Sequence, residues 1–247
     1  MKRYLGVLFI LMLVACKQSK KTDYTAQEII DTSIEVTGGE KFNNHTVSFM
    51  FRDRKYVSQQ GKGKKVLQRI TFLDSIVLTD VLSNGNFQRF VNDSLSVLSD
   101  SIANRYANSV NSVHYFARLP FGLNDAAVNK ELLGKETIKG QDYYKIKVTF
   151  HQEGGGEDFD DTYVYWFDQQ TFKSSYLAYD FHVNGGGQRF REAYNERYIN
   201  GIRFVDYINY KPKNKGTSIL EIGKLFEQGG LEELSKIELA EIAVQKN

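Results

Sequence analysis

Four histidines, one cysteine and a dense acidic run are the side chains of this 247-residue sequence best suited to chemistry. His45, His114, His151 and His182 show no metal-ligand spacing. His182 lies two residues from Asp180 in a stretch that reads as strand, so the two share a face and the carboxylate is placed to orient the imidazole. No nucleophile accompanies them: the sequence lacks a Gly-x-Ser-x-Gly elbow, a His-Glu-x-x-His pair and a phosphate-binding loop. A hydrolase built on His182 and Asp180 is therefore the weakest of the readings. The run "EGGGEDFDD" at 153–161 reads as a solvated, flexible hairpin loop. A weak calcium site is its alternative, since calcium prefers oxygen-rich loops, although the order of an EF-hand is absent. "GKGKKV" at 61–66 lacks the third glycine and the Lys-Ser/Thr ending of a phosphate cradle, and reads as a basic hairpin turn. No catalytic residue, metal or cofactor is expected.

The single cysteine has a clearer role. Lys2 and Arg3 precede an apolar run from Leu5 to Val14, which the polar "KQSKKTD" stops. A spanning helix needs roughly 20 apolar residues and a signal core only about 7–15, so this run reads as a signal core, with an ordinary secretory signal carrying an incidental cysteine, or a buried N-terminal helix, as the lesser readings. Leu13-Val14-Ala15-Cys16 at its end resembles a bacterial lipobox. The resemblance implies cleavage after Ala15, lipidation of Cys16 and a further acyl chain on the new amine. Two or more chains give stable anchoring, at about 0.8 kcal/mol per buried methylene. Lys17, standing where aspartate would signal retention at the inner membrane, favours the outer membrane, with the periplasmic face preferred to the cell surface.

Cleavage would change the balance of the chain. Loss of Lys2 and Arg3 brings the basic residues level with the 30 acidic ones, and the net charge falls from +2 to zero. A nucleic-acid partner is therefore not expected, because such binders carry a basic excess or patch. With Cys16 consumed, no thiol remains for a disulfide, and the fold must rest on its core. A chain of this size buries about 70–75% of its unfolded surface, which is enough.

Aromatic residues stand out, with 15 tyrosines and 17 phenylalanines concentrated on strand-like segments. Phe49, Phe51, Phe72, Tyr144, Tyr165, Trp166, Phe167, Phe181, Tyr194 and Phe204 are the candidates for lining a ligand site. An aromatic stripe on a strand is ordinarily core. Yet "YVYWF" and "YLAYDF" are apolar on both faces, so either protein covers both sides or one side borders an apolar groove. Alternation alone does not say which face Trp166 takes.

The elements that must position these residues follow from periodicity. Residues 16–23 form the lipidated cysteine and its tether, and 24–247 read as one domain. Thr25 and Glu28 make a capping box for a helix whose apolar face holds Ala26, Ile29, Ile30 and Ile34, ended by Gly38-Gly39. The period then becomes two. Val47, Phe49 and Phe51 share one face, as do Val66, Ile70 and Phe72, and Asn84-Gly85 signals a hairpin. A second helix places Ile102, Tyr106, Val110, Val113, His114 and Ala117 on one stripe, with Ser99 or Asp100 as its cap. Leu119-Pro120 ends it. Strands resume from residue 131, with Tyr144, Ile146, Val148 and Phe150 on one face, a turn at Asp168 and a hairpin at Asn200-Gly201. The tail "LSKIELAEIAVQ" fits a strand better than a short helix. This order predicts an α+β fold: a curved antiparallel sheet, or half-open β-barrel, wrapped round the central helix.

The same order resembles the bacterial lipoprotein-carrier superfamily of LolA and LolB. Gly140 and Tyr143, then Asp168 and Thr171, then Gly201, Ile202 and Phe204 match its Gly-x-x-Tyr, Asp-x-x-Thr and Gly-Ile-x-Phe strands. The chain also resembles Bacteroidota lipoproteins of unknown function. What the resemblance implies is an apolar-ligand site between sheet and helices, with "YFARLPFGLND" as its lid. The soluble carrier of that superfamily is not lipidated, so its anchored receptor or a lipid-binding lipoprotein is the nearer analogue. The expected function is thus an outer-membrane lipoprotein, not an enzyme, that binds an acyl chain, lipid or lipoprotein. A scaffolding lipoprotein with a filled core is the alternative.

Overall fold

The computed structural model describes residues 24–61, 64–153, 159–182, 185–214 and 216–247. Cys16, the lipobox and the tether lie outside the described residues, as do 62–63 of the basic turn and 154–158 of the acidic loop. Helix α1 (Ala26–Val36) has the expected capping box: Thr25 Oγ1 accepts from the Glu28 amide, and Glu28 reaches back to the Thr25 amide at 2.9 Å. Its apolar stripe buries Ile29 and Ile30 completely.

A meander of strands follows: β1 (His45–Phe51), β2 (Arg54–Gly61), β3 (Lys64–Leu73), β4 (Ile76–Ser83), β5 (Asn86–Val91) and β6 (Ser94–Ser96). Helix α2 (Asp100–Ala117) comes next. A second meander contains β7 (Val128–Ile138), β8 (Gln141–Phe150), β9 (Tyr163–Asp168), β10 (Ser174–Phe181), β11 (Gly187–Ile199) and β12 (Ile202–Pro212). Helix α3 (Ile222–Glu227), β13 (Leu231–Ile237) and β14 (Leu239–Lys246) complete the chain. The tail is therefore two strands.

Two seven-stranded antiparallel sheets result, ordered β14-β1-β2-β3-β4-β5-β6 and β13-β12-β11-β10-β9-β8-β7. Glu238 alone separates β13 from β14, so the last segment pairs with β12 of one sheet and then with β1 of the other. That joins the sheets along one side. The free edges are β6 and β7, the two strands that α2 connects, and the barrel is not closed. Among the described residues no helix is long and apolar enough to cross a membrane.

Turn chemistry explains the register. Asp168 Oδ1 accepts from the amides of Gln170 (2.9 Å) and Thr171 (2.7 Å), which is what the Asp-x-x-Thr spacing provides between β9 and β10. Asn200 and Gly201 both take positive φ, 49° and 77°, as a tight hairpin between twisted strands requires.

The face of β3 differs from expectation. Val66, Ile70 and Phe72 were expected on the buried face of β3, but Leu67 and Arg69 are the buried positions and Phe72 is 56% exposed. The inner face here carries a charged residue, satisfied by Asp80, so apolar alternation points the wrong way. The segment "LPFGL", part of the stretch expected as a lid, is packed: Leu119 and Leu123 are buried, and the Phe121 ring lies 3.8 Å from that of Phe42.

The strand β9 divides the core in two. Tyr165 and Phe167 face the larger cluster, with α1, β1 and the end of α2, while Val164 and Trp166 face a second cluster covered by residues 219–226. Gly223 permits that cover, because a Cβ there would sit 3.0 Å from Trp166 Cζ2 and 2.6 Å from Glu136 Oε1. Trp166 Nε1 donates to Glu136 Oε2 (3.1 Å), which Lys145 also holds at 2.5 Å.

Candidate functional site

Between the C-terminal half of α2 and the inner face of the second sheet lies a cavity of about 440 Å³, within the range of roughly 300–1,000 Å³ usual for small-molecule sites. Alternation on β9 and β10 turns Tyr163, Tyr165, Leu177, Tyr179 and Phe181 into it, and Phe150 of β8 joins them. The helix contributes His114, Tyr115 and Phe116, followed by Arg118 and Leu119, and β3 contributes Lys65 and Leu67. Tyr163 organises the aromatic wall: its ring lies 5.3 Å from Tyr179 (stacked), 5.6 Å from Phe150 (edge-on) and 6.4 Å from Tyr115 (edge-on). These are favourable quadrupole geometries for rings that also offer surface to a guest.

Polar groups on the lining are incompletely satisfied. His114 is 1% exposed, and its Nε2 lies 3.0 Å from the Gln68 carbonyl oxygen. A carbonyl only accepts, so Nε2 carries the proton and Nδ1 is a bare acceptor, buried and unpartnered. Burial pushes the His114 imidazole down to about 4, with Arg118 and Lys65 adding to the shift, so the ring is neutral at pH 7. Asn108 Nδ2 and Arg191 Nε, also on the lining, are buried without partners. Tyr115 and Tyr165 approach at 3.4 Å between hydroxyls. Burial pushes Tyr115 up to about 12 and raises Tyr165 well above its ordinary value, so both are neutral.

The expected pairing of His182 with Asp180 is not formed. Asp180 Oδ1 accepts from the Thr162 amide at 2.7 Å, which ties β10 to the start of β9. His182 lies beyond the end of β10, so the shared face is lost, and its Nδ1 instead lies 3.2 Å from Asp161 Oδ1 and 3.6 Å from Asp160 Oδ2. Hydrogen bonding to Asp161 raises its pKa. Among the described residues, Asp160, Asp161 and His182 are also the group whose ligand atoms lie close enough to share a metal ion, all within 4.8 Å of one another. His182 and Asp160 are exposed, as is common for acidic surface groups that hold no ion.

No curated protein sequence matches the chain. A family model does, over residues 6–239: a family of unknown function, DUF6503. The chain belongs to that family. Among solved structures, this DUF6503 member is similar to a LolA superfamily protein from Nitrosomonas europaea, with a TM-score of 0.52 at 14% identity, covering 91% of this chain and 94% of the other. A DUF1329 family protein from Desulfovibrio piger covers the same shares at 9% identity and TM-score 0.41. The lipoprotein LppX of Mycobacterium tuberculosis is more distant, with TM-score 0.27 and 15% identity over 64% of this chain and 87% of its own. The first likeness is one of fold, and the fold is LolA-like.

Within this DUF6503 member the ten aromatic candidates separate. Tyr165 and Phe181 line the cavity. Phe49, Phe51, Tyr144, Phe167 and Phe204 belong to the larger core cluster behind it; Phe49 stacks on Tyr56, and the Tyr56 ring meets His114 edge-on. Trp166 is on the covered face, across the sheet from the cavity, because it alternates with Tyr165. Tyr194 lies outside the lining and donates to Glu238 at the corner where the sheets join. Phe72 is exposed on the outer side of β3. The lining residues that sequence reasoning missed include Lys65, Arg118, Arg189 and Arg191. "RFREAY" held a signal: Phe190 between two arginines is an alternation, and Phe190 is the residue covered by α3, leaving the arginines to face inward.

Proposed function

We propose that this protein is an outer-membrane lipoprotein, anchored through Cys16, that holds an apolar ligand (an acyl chain, a lipid or a lipoprotein) between α2 and the second sheet and performs no chemistry on it. One observation carries the reading: the two faces of β9–β10 are both apolar, yet one is filled by residues 219–226 and the other borders open volume. A scaffold with a filled core would have closed both, since interiors are packed to crystal-like density. Burying ten methylenes would supply several kcal/mol at about 0.8 kcal/mol each. The LolA-like fold supports the reading, as does the helix-to-β7 segment: Tyr115, Phe116, Leu119 and Gly122 wall the cavity, while Leu123 roots that segment in the core.

Native mass spectrometry of the full-length protein, released from non-ionic detergent, tests the proposal. Retained lipid of defined mass is the expected result, and metabolic fatty-acid labelling should be abolished by Cys16→Ala. A protein that never retains or takes up any acyl ligand is a scaffold, and labelling that survives Cys16→Ala removes the anchor. Trp166 fluorescence is a poor reporter here, because the sheet separates it from the cavity.

A further inference from the structure

Elsewhere among the described residues, buried and half-buried cations meet carboxylates at close range. Arg69 and Arg89 share Asp80, Lys145 meets Glu136, Arg197 meets Asp206 and Arg203 meets Glu196. The cavity breaks this habit. Four cationic residues line it (Lys65, Arg118, Arg189 and Arg191) and, among the described residues, none forms an ion pair. Arg118 donates to Gln60 Oε1 at 3.0 Å and stands over the Phe42 ring; Arg191 donates to the Tyr179 hydroxyl at 3.0 Å and lies 5.2 Å from the Phe116 ring. Arg189 donates only to the Gln188 carbonyl and covers the Phe181 ring. The lining contains two carboxylates: Asp161, which is engaged by His182, and Asp125, whose charge acts on Lys65 and Arg118 without an ion pair to either, so one carboxylate is left for four cations.

Taking a cation out of water without a counter-charge is costly, and a bound anion relieves that cost. Three residues of the same lining, Arg191, Asn108 and His114, each carry a buried polar atom without a partner (Nε, Nδ2 and Nδ1), so a small side-chain rotation would gain a hydrogen bond to a guest. Two of them are donors, as an anion requires. The bare Nδ1 of His114 accepts, and suits a hydroxyl or amide N–H next to the charge. Apolar rings supply the rest of the wall.

Resting on the acyl-binding reading above, we propose that the ligand is a single-chain amphiphile with an anionic head group, a carboxylate or phosphate monoester, whose head is held by Lys65, Arg118 and Arg191 while its chain lies along Tyr163, Tyr179 and Phe181. Desolvation and the neighbouring Arg118 lower the Lys65 pKa, Asp125 opposes them only in part, and an anion between the two cations would reverse the shift.

The test offers the full-length protein, in a non-ionic detergent, an equimolar set of twelve-carbon ligands: dodecanoate, lauroyl-lysophosphatidate, dodecanol and dodecyltrimethylammonium. Occupancy is read by native mass spectrometry. Charge-assisted hydrogen bonds predict that at least one anion is favoured over dodecanol by about tenfold and that the cation is excluded. The ratio of dodecanoate to lysophosphatidate says which head group fits. Lys65→Gln and Arg191→Gln, each verified as folded by circular dichroism, should reduce the anion to the occupancy of the alcohol. The exposed Lys147→Gln should not. Equal binding of dodecanol and the anions, or a preference that survives both substitutions, overturns the head-group proposal while leaving the acyl site standing. Absence of binding by all four overturns both.

Discussion

Helix α2 covers two polar regions that differ in a single respect. Under its N-terminal half, Arg69 Nη2 and Arg89 Nε meet the two oxygens of Asp80 at 2.6 and 2.7 Å, Ser109 accepts from Arg69, and the Arg89 guanidinium lies 3.7 Å from the centre of the Tyr106 ring. Under its C-terminal half, Lys65, Arg118 and Arg191 face open volume with hydroxyls, amides and aromatic rings for company. The first region is complete in itself. The second has Lys65, Arg118, Arg189 and Arg191 on its lining with Asp125 as the carboxylate acting on Lys65 and Arg118, and no ion pair closes between them. A buried charge network that is fully paired specifies how a helix seats on a sheet, whereas one left short of an anion is poised to accept one.

The comparison is broken most directly at Asp80. Asp80→Ala leaves two arginines, one of them 4% exposed, without their counter-charge, and should cost about 3–5 kcal/mol in urea unfolding. A loss below 1 kcal/mol would mean that the network is ornamental. Next in size is the effect of pH. The folded-state pKa of His114, about 4, lies below its ordinary value of 6.5, so between them the unfolded chain takes a proton that the folded chain refuses. Stability should therefore fall as pH drops below about 6.5 and level off below about 4, with His114 contributing a loss of about 2 kcal/mol between pH 7 and pH 5. His114→Gln, which can still donate to Gln68, should remove that part of the slope; an unchanged slope assigns it elsewhere. The smallest effect is expected at Lys65. Because this cation is desolvated and has no ion-pair partner to lose, Lys65→Gln should not lower ligand-free stability by more than ~0.5 kcal/mol and should raise it if it changes it at all. A loss matching that of Asp80→Ala would erase the difference between the two regions.

Much of the frame is written in residue order. The capping box at Thr25, the Asn-Gly hairpins, the stop at Pro120 and the alternation in β1 and β8 each rest on local physics, and each was legible. The failures share a cause. On β3 the inward residue is Arg69 and the outward ones are Val66, Ile70 and Phe72, because a distant Asp80 makes the arginine tolerable inside. On β9 the sequence shows two apolar faces but not which would be covered, since the cover comes from residues 219–226, more than fifty positions downstream. Half of the candidate site was thus hidden for the same reason. Apolar periodicity finds the rings of a cavity and passes over its cations, which look like surface until the partner strand is known.

The join between β13 and β14 governs how the molecule can be made. Thr46 Oγ1 donates to Asn247 Oδ1 across 201 positions of sequence, and β1 finds its second neighbour only in the last strand of the chain. Closing so long a loop is entropically slow, and pairings of this kind set the pace of folding in high-contact-order proteins. During synthesis every strand from β2 to β6 can pair with a neighbour already made, while β1 waits with one edge bare. A chain cut short before Leu239 would keep both meanders yet offer that edge, with the buried Val47, Phe49 and Phe51 beside it, as a template for another unfinished copy.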